Sequence, residues 1–156
     1  IHGINFLPIQ GGSLYLGQSA EYLKSNFEDM IRSNRNFHKA GFEGDPDQFD
    51  RWKDILFETE ALAQPEAALK RFNDDGKIEP EFGETRTHTM QWLTALNALG
   101  RVDPAVRANH PTAVLFRKQE QRHYVMFNFG QNPVVVAYTD GEEFTADPGW
   151  SHIVRD

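Results

Sequence analysis

Apolar residues recur with a helical period up to about residue 100 and with a strand period after about residue 110, so the chain reads as helices first and strands last. Leu23, Phe27, Met30 and Ile31 fall at i, i+4, i+7 and i+8 behind Ser19, a capping residue, which predicts a helix of about four turns. Residues 34–47 contain two glycines, one proline and no sustained period, and read as a surface loop. Asp47 is the expected N-cap of a second helix, with Trp52, Ile55, Leu56, Thr59 and Leu62 along one face. Asp54 and Glu58 lie off that stripe and are assigned to a solvated face. Pro65 opens a third helix over about 65–73, because a proline at the first helical position sacrifices no hydrogen bond. Ala68, Leu69 and Phe72 form its apolar side. A fourth helix is predicted from about Thr85 to Leu99, with Trp92, Leu93, Leu96 and Leu99 inward and Gly100 ending it.

Beyond Pro104 and Pro111 the segments TAVLFRK, HYVMFNFG, VVVAYTDG and EEFTADPG alternate and are rich in β-branched residues. They predict three or four antiparallel strands, with Asp140-Gly141 as a hairpin turn. Residues 1–17, IHGINFLPIQGGSLYLG, read as a buried, structured loop, since Pro8 and Gly11-Gly12 interrupt any helix. The expected class is α+β.

Composition removes several kinds of function. With 16 Lys and Arg against 23 Asp and Glu the net charge is −7, and no basic cluster is large enough to track phosphates, which argues against nucleic acid as a partner. The absence of cysteine excludes a disulfide scaffold, a thiolate metal site and a thiol nucleophile. No apolar run approaches the roughly 20 residues of a membrane span, so no membrane partner is expected. Ile1 opens the chain inside an apolar segment without an initiator Met, which reads as the downstream part of a longer polypeptide.

The polar constellations are sparse. No two of the six histidines are spaced i, i+4, so neither a metal nor a cofactor is expected. Ser13 in GGSLYLG lacks the G-x-S-x-G order of a nucleophile turn, and the glycine pair lacks the pattern of a phosphate cradle. Carboxylates are more informative, because glycosidic hydrolysis uses one as acid and one as base or nucleophile. The close pairs are Glu58 with Glu60 and Glu81 with Glu84. Glu84 opens a helix followed by Arg86, His88 and Trp92, although the helix dipole alone accounts for a glutamate there. Sugar rings stack on aromatic faces, and Tyr15, Trp52, Trp92 and Trp150 are the rings to consider. Trp52 and Trp92 lie on core stripes, which favours packing, whereas Tyr15 sits close to Gln10 and two glycines.

Taken in order, IHGINFLPIQGGSLYLG (1–17), RWKDILFETEALAQPEAAL (51–69), FGETRTHTMQWLTALNALGRVD (82–103) and HPTAVLFRK (110–118), followed by HYVMFNFG and YTDG, resemble the C-terminal part of glycoside hydrolase family 81, the endo-β-1,3-glucanases or laminarinases. The resemblance implies a secreted, inverting hydrolase of internal β-1,3-glucosidic bonds, with an (α/α)6-barrel catalytic domain. Residues 1–109 would then supply C-terminal helices of the barrel, and residues 110–156 antiparallel strands packed against the rest of the enzyme. In this family the catalytic base lies in a motif with two glutamates four residues apart, upstream of the matched region, and the aspartate acid lies earlier still. No two glutamates in this chain are four apart. The resemblance therefore assigns no catalytic residue here, Glu84 remaining the one candidate, and the chain alone is expected to be inactive. It places the HGINFLPI loop and the helix opening at Gly83-Glu84-Thr85 near the cleft, with His2, Gln10, Tyr15, Glu84 and His88 as supporting or sugar-contacting residues. Many members have Gly-Glu-Ser where Gly83-Glu84-Thr85 stands, and Tyr-His where Met90-Gln91 stands. The implied partners are β-1,3-glucan and the N-terminal part of the same enzyme. Two other readings are a non-catalytic β-glucan-binding module, using exposed aromatics such as Tyr15 or Trp150, and a small enzyme with Glu81 or Glu84 as its acid.

Overall fold

The computed structural model describes residues 19–39, 53–76 and 85–156, together with Leu14, Ile78, Pro80 and Gly83. They belong to two compact units, residues 1–97 and 98–156.

The first unit holds α1 (Ala20–Lys39), α2 (Lys53–Ala61), α3 (Pro65–Asp74) and α4 (Arg86–Leu99), the last of which ends just inside the second unit. Ser19 caps α1 as expected, its Oγ accepting the Tyr22 backbone N–H at 3.2 Å. The helix runs longer than the apolar spacing predicts, because residues 34–39 are helical and not loop. The stretch NRNFHK contains neither glycine nor proline, so nothing in it breaks a helix once the period fades. Asp47 and Trp52 lie outside the described residues.

Pro65 is the first residue of α3, and Ala68 and Phe72 are fully buried on its inner face. Phe57 of α2 meets the Phe72 ring edge-on at 6.4 Å between centroids. The Arg86 guanidinium lies 4.6 Å from the centre of the same ring. Thr85 caps α4 by accepting the His88 backbone N–H on Oγ1 at 3.0 Å. Thr89, Leu93 and Leu96 are buried along α4, with Trp92 and Leu99 half-buried. Gly100 follows with φ of 87°, the left-handed conformation expected of a residue ending a helix. A side chain there is doubly excluded, since a Cβ would stand 2.2 Å from the Arg117 carbonyl oxygen.

The second unit is antiparallel throughout. β1 (Arg101–Val102), β2 (Val114–Lys118), β3 (Gln121–Asn128) and β6 (Gly149–Arg155) form one sheet in the order β1-β2-β3-β6, and β4 (Val134–Ala137) pairs with β5 (Glu143–Ala146) in a second. The β4–β5 hairpin turns at Asp140-Gly141 as predicted, with Gly141 at φ of 94° and the Tyr138 N–H donated to the Glu142 carbonyl at 2.8 Å. Both β1 and β6 go beyond the predicted strands. In GWSHIVR the half-buried face carries Gly149, Ser151 and Ile153 and the exposed face Trp150, His152 and Val154, so polar and apolar residues stand on both faces and the hydrophobic alternation is weak.

Alternation along β3 divides the sheet. Tyr124, Met126 and Asn128 turn to one face and are buried, and His123, Val125 and Phe127 turn to the other. The buried face contributes Leu115, Tyr124 and Met126 to a core completed by Val136, Tyr138, Phe144 and Ala146. Each large side chain so removed from water stabilises the unit by about 1.5–3 kcal/mol. Asn128 fastens one end of it, donating to the Asn132 and Ala146 carbonyls at 2.8 and 3.1 Å and accepting from the Gly130 N–H at 2.8 Å.

Candidate functional site

The least expected part of the molecule is α2. Every residue from Asp54 to Ala63 is buried, including Asp54, Glu58, Thr59 and Glu60. Asp54 and Glu58 are therefore not on a solvated face. A helical stripe marks the most apolar side of a helix, and it says nothing about the opposite side when that side is covered too. An ionised carboxylate in such surroundings needs compensating charge or hydrogen bonds.

Partners come from the two helices that follow. The Arg71 guanidinium of α3 lies 2.9 Å from Glu60 Oε1. Burial pushes the Glu60 carboxyl above its usual range, and Arg71 partly opposes that. The α4 residues His88 and Trp92, one turn apart, both reach Glu58. His88 Nδ1 lies 3.7 Å from Glu58 Oε1, and Trp92 donates its indole N–H to the Glu58 carbonyl at 3.1 Å. The Trp92 contact anchors α4 against α2 beside the carboxylate. Glu58 is completely buried, whereas the His88 side chain is 41% exposed, so the pair connects the interior to the surface. Chemically the arrangement can orient an imidazole and hold charge. It offers no exposed pair of carboxylates on which to run acid–base hydrolysis.

Of the residues expected near a sugar, His88 is described and lies at this pair. His2, Gln10, Tyr15 and Glu84 lie outside the described residues, as do Ser13 and Glu81. Asp54 and Glu58, assigned to a solvated face, are the polar residues sequence reasoning misplaced, and Glu60 was given no place beyond a close acidic pair with Glu58. Their only local signal is the absence of Lys and Arg from the eight helix residues after Lys53.

Aromatic rings in the second unit form a separate exposed group. Phe127 packs against Phe129 and Trp150 with centroids 4.4 and 4.8 Å away, and Phe129 and Trp150 are 77% and 75% exposed. On the same sheet His123 and His152 stack, with Nδ1 and Nε2 3.1 Å apart. Among the described residues no group of three or more His, Asp or Glu side chains is arranged to hold a metal ion, and no helix is long and apolar enough to cross a membrane.

No family model matches the chain. Individual proteins do. Over 147 residues it is 39% identical to a glucan endo-1,3-β-D-glucosidase of Acetivibrio thermocellus, and over 151 residues 37% identical to one of Thermobifida fusca. These alignments cover 94% and 96% of this chain but only 18% of either relative. Among solved structures, a glycoside hydrolase family 81 protein from Clostridium thermocellum superposes with a TM-score of 0.79 at 38% identity, covering 99% of this chain and 20% of the other. Along nearly its whole length the chain is thus similar, in sequence and in backbone, to a segment of a glycoside hydrolase family 81 protein, and it spans about a fifth of the length of the relatives it matches.

Proposed function

We propose that this chain is a portion of an inverting endo-β-1,3-glucanase acting on laminarin-type glucans, contributing to the substrate cleft and to the fold while the principal catalytic carboxylates stand elsewhere in the polypeptide. The observation that carries the reading is the 37–39% identity, over almost all of this chain, to two proteins named glucan endo-1,3-β-D-glucosidase. The burial of Asp54, Glu58 and Glu60 agrees with it, because a glucan cannot reach those carboxylates as they stand. In this reading residues 1–109 belong to the helices of an (α/α)6 barrel and residues 110–156 to strands packed on the rest of the enzyme. The enzyme is secreted, since its polysaccharide substrate is too large to be taken up whole.

An inverting hydrolase holds its acid and base about 6.5–9.5 Å apart so that water attacks opposite the leaving oxygen. The product of a β-linkage is then the α-anomer. Proton NMR of laminarin digested by the longer polypeptide should show α-anomeric reducing ends appearing first, and chromatography should show a ladder of oligosaccharides from internal cleavage. First products in the β-configuration would contradict inversion, and glucose alone would contradict the endo reading.

A further inference from the structure

The core of the second unit lies against one side of the paired strands β3 and β6, and their register sets out what the other side carries. Phe127 stands directly opposite Trp150, Val125 opposite His152, and His123 opposite Val154. Trp150 is 75% exposed, Phe129 just beyond β3 is 77% exposed, and Val154 is exposed as well. Both of the exposed rings lean on Phe127, so the three form one contiguous patch. An aromatic side chain buries about 150–250 Å² when covered, so the two exposed rings leave roughly 300 Å² of apolar surface in water. Among the described residues β6 is also the end strand of its sheet, and Arg155, at its last position, is its one Lys, Arg, Asp or Glu. A long edge strand without an interior charge or proline is one that folded proteins cover.

We propose that this face is the docking surface for the polypeptide outside this chain, with Trp150 and Phe129 inserted into an apolar patch on it. The proposal rests on the glucanase reading for its partner, since there the chain is one portion of a longer enzyme. The relatives are long enough to supply that partner, as the chain spans 18% of either. A second copy is the poorer occupant, because a stable dimer buries about 800 Å² on each partner, well beyond what the two rings offer. A partner in the same polypeptide is held at high effective concentration and needs no such area. Glucan fits less well for a different reason. A sugar wants polar partners placed around an aromatic platform. Here Phe129 and Trp150 stand at 64° and 67° to Phe127, and His152, the exposed polar residue of this face, is already bonded to His123 at 3.1 Å. The rings of Phe127 and Phe129 hold no polar atom, and such side chains, with Trp, make up the buried centre of protein contacts.

Hydroxyl-radical footprinting of the longer polypeptide tests this without any variant having to fold. Oxidation of Trp150 and Phe129 is read by peptide mass spectrometry in the native protein, in the same protein unfolded in urea, and in the native protein with laminarin. Both rings should be oxidised several-fold more slowly in the native protein than after unfolding, equally with and without laminarin and at every protein concentration. Native rates that match the unfolded ones would overturn the proposal. Protection seen only with laminarin would overturn it in favour of a glucan platform, and protection that fades on dilution would overturn it in favour of a second copy. Failure of a polypeptide with protected rings to release reducing ends from laminarin would sink the glucanase reading and leave the docking surface standing.

Discussion

Two tyrosines in the second unit show how much a single hydroxyl depends on what it meets. Tyr124 and Tyr138 pack edge-on with centroids 4.8 Å apart, and burial pushes both phenols up to about 12. Tyr124 donates to Asp140 Oδ2 at 2.6 Å, and that bond also raises it. The Tyr138 hydroxyl is buried with no hydrogen-bond partner among the described residues. A hydrogen bond to a charged acceptor contributes about 1.5–3 kcal/mol, whereas a buried hydroxyl without one is a net cost. Tyr124→Phe should therefore lower the unfolding free energy by about 2 kcal/mol in urea denaturation. Tyr138→Phe should leave it unchanged or raise it. Equal losses in the two variants would show that the Asp140 bond is not what distinguishes them.

At the scale of elements, the seam between β3 and β6 carries a pH dependence. His123 pairs directly across from Val154 and Val125 from His152, so the two imidazoles meet diagonally, Nδ1 to Nε2. Burial holds His123 below the usual imidazole value of 6.5, with His152 and then Lys118 adding to the effect. The unfolded chain then binds more protons than the folded one as pH falls, so stability is full above about 6.5 and is lost as pH drops through the folded value. The urea midpoint of the wild type should decline between pH 7.5 and pH 5. In His123→Phe the decline should be smaller, and an identical decline in both proteins would remove His123 as its source.

The elements also show what a sequence can and cannot disclose. Capping and breaking residues were local and legible, as Ser19, Pro65, Gly100 and Asp140-Gly141 each stand where the predicted boundary falls. The surroundings of α2 were not legible, because Arg71 and His88 reach Glu60 and Glu58 from helices later in the chain. A nine-residue helix covered on all sides gives no polar face from which to read its burial. His88 was singled out through the motif around it, but the contact with Glu58 is tertiary and has no signature in spacing.

For the whole molecule, the order of helices followed by strands was plain from the change of period, and the antiparallel pairing of the strands agrees with it. The likeness to endo-1,3-β-glucanases was legible from ordered segments spread along the chain, and the relatives match over that same extent. The helical half of the chain also weighs against a free-standing binding module, since one-sided apolar helices add nothing to an aromatic glucan platform. The chain spans only 18% of the length of either relative, so under the proposed function it is expected to be necessary but insufficient for glucan hydrolysis. Initial rates of reducing-end release from laminarin test this most directly, compared among the longer polypeptide, the same polypeptide without residues 1–156, and this chain alone. Turnover is expected only in the first. Comparable turnover by the isolated chain, or an undiminished rate without it, would contradict that expectation.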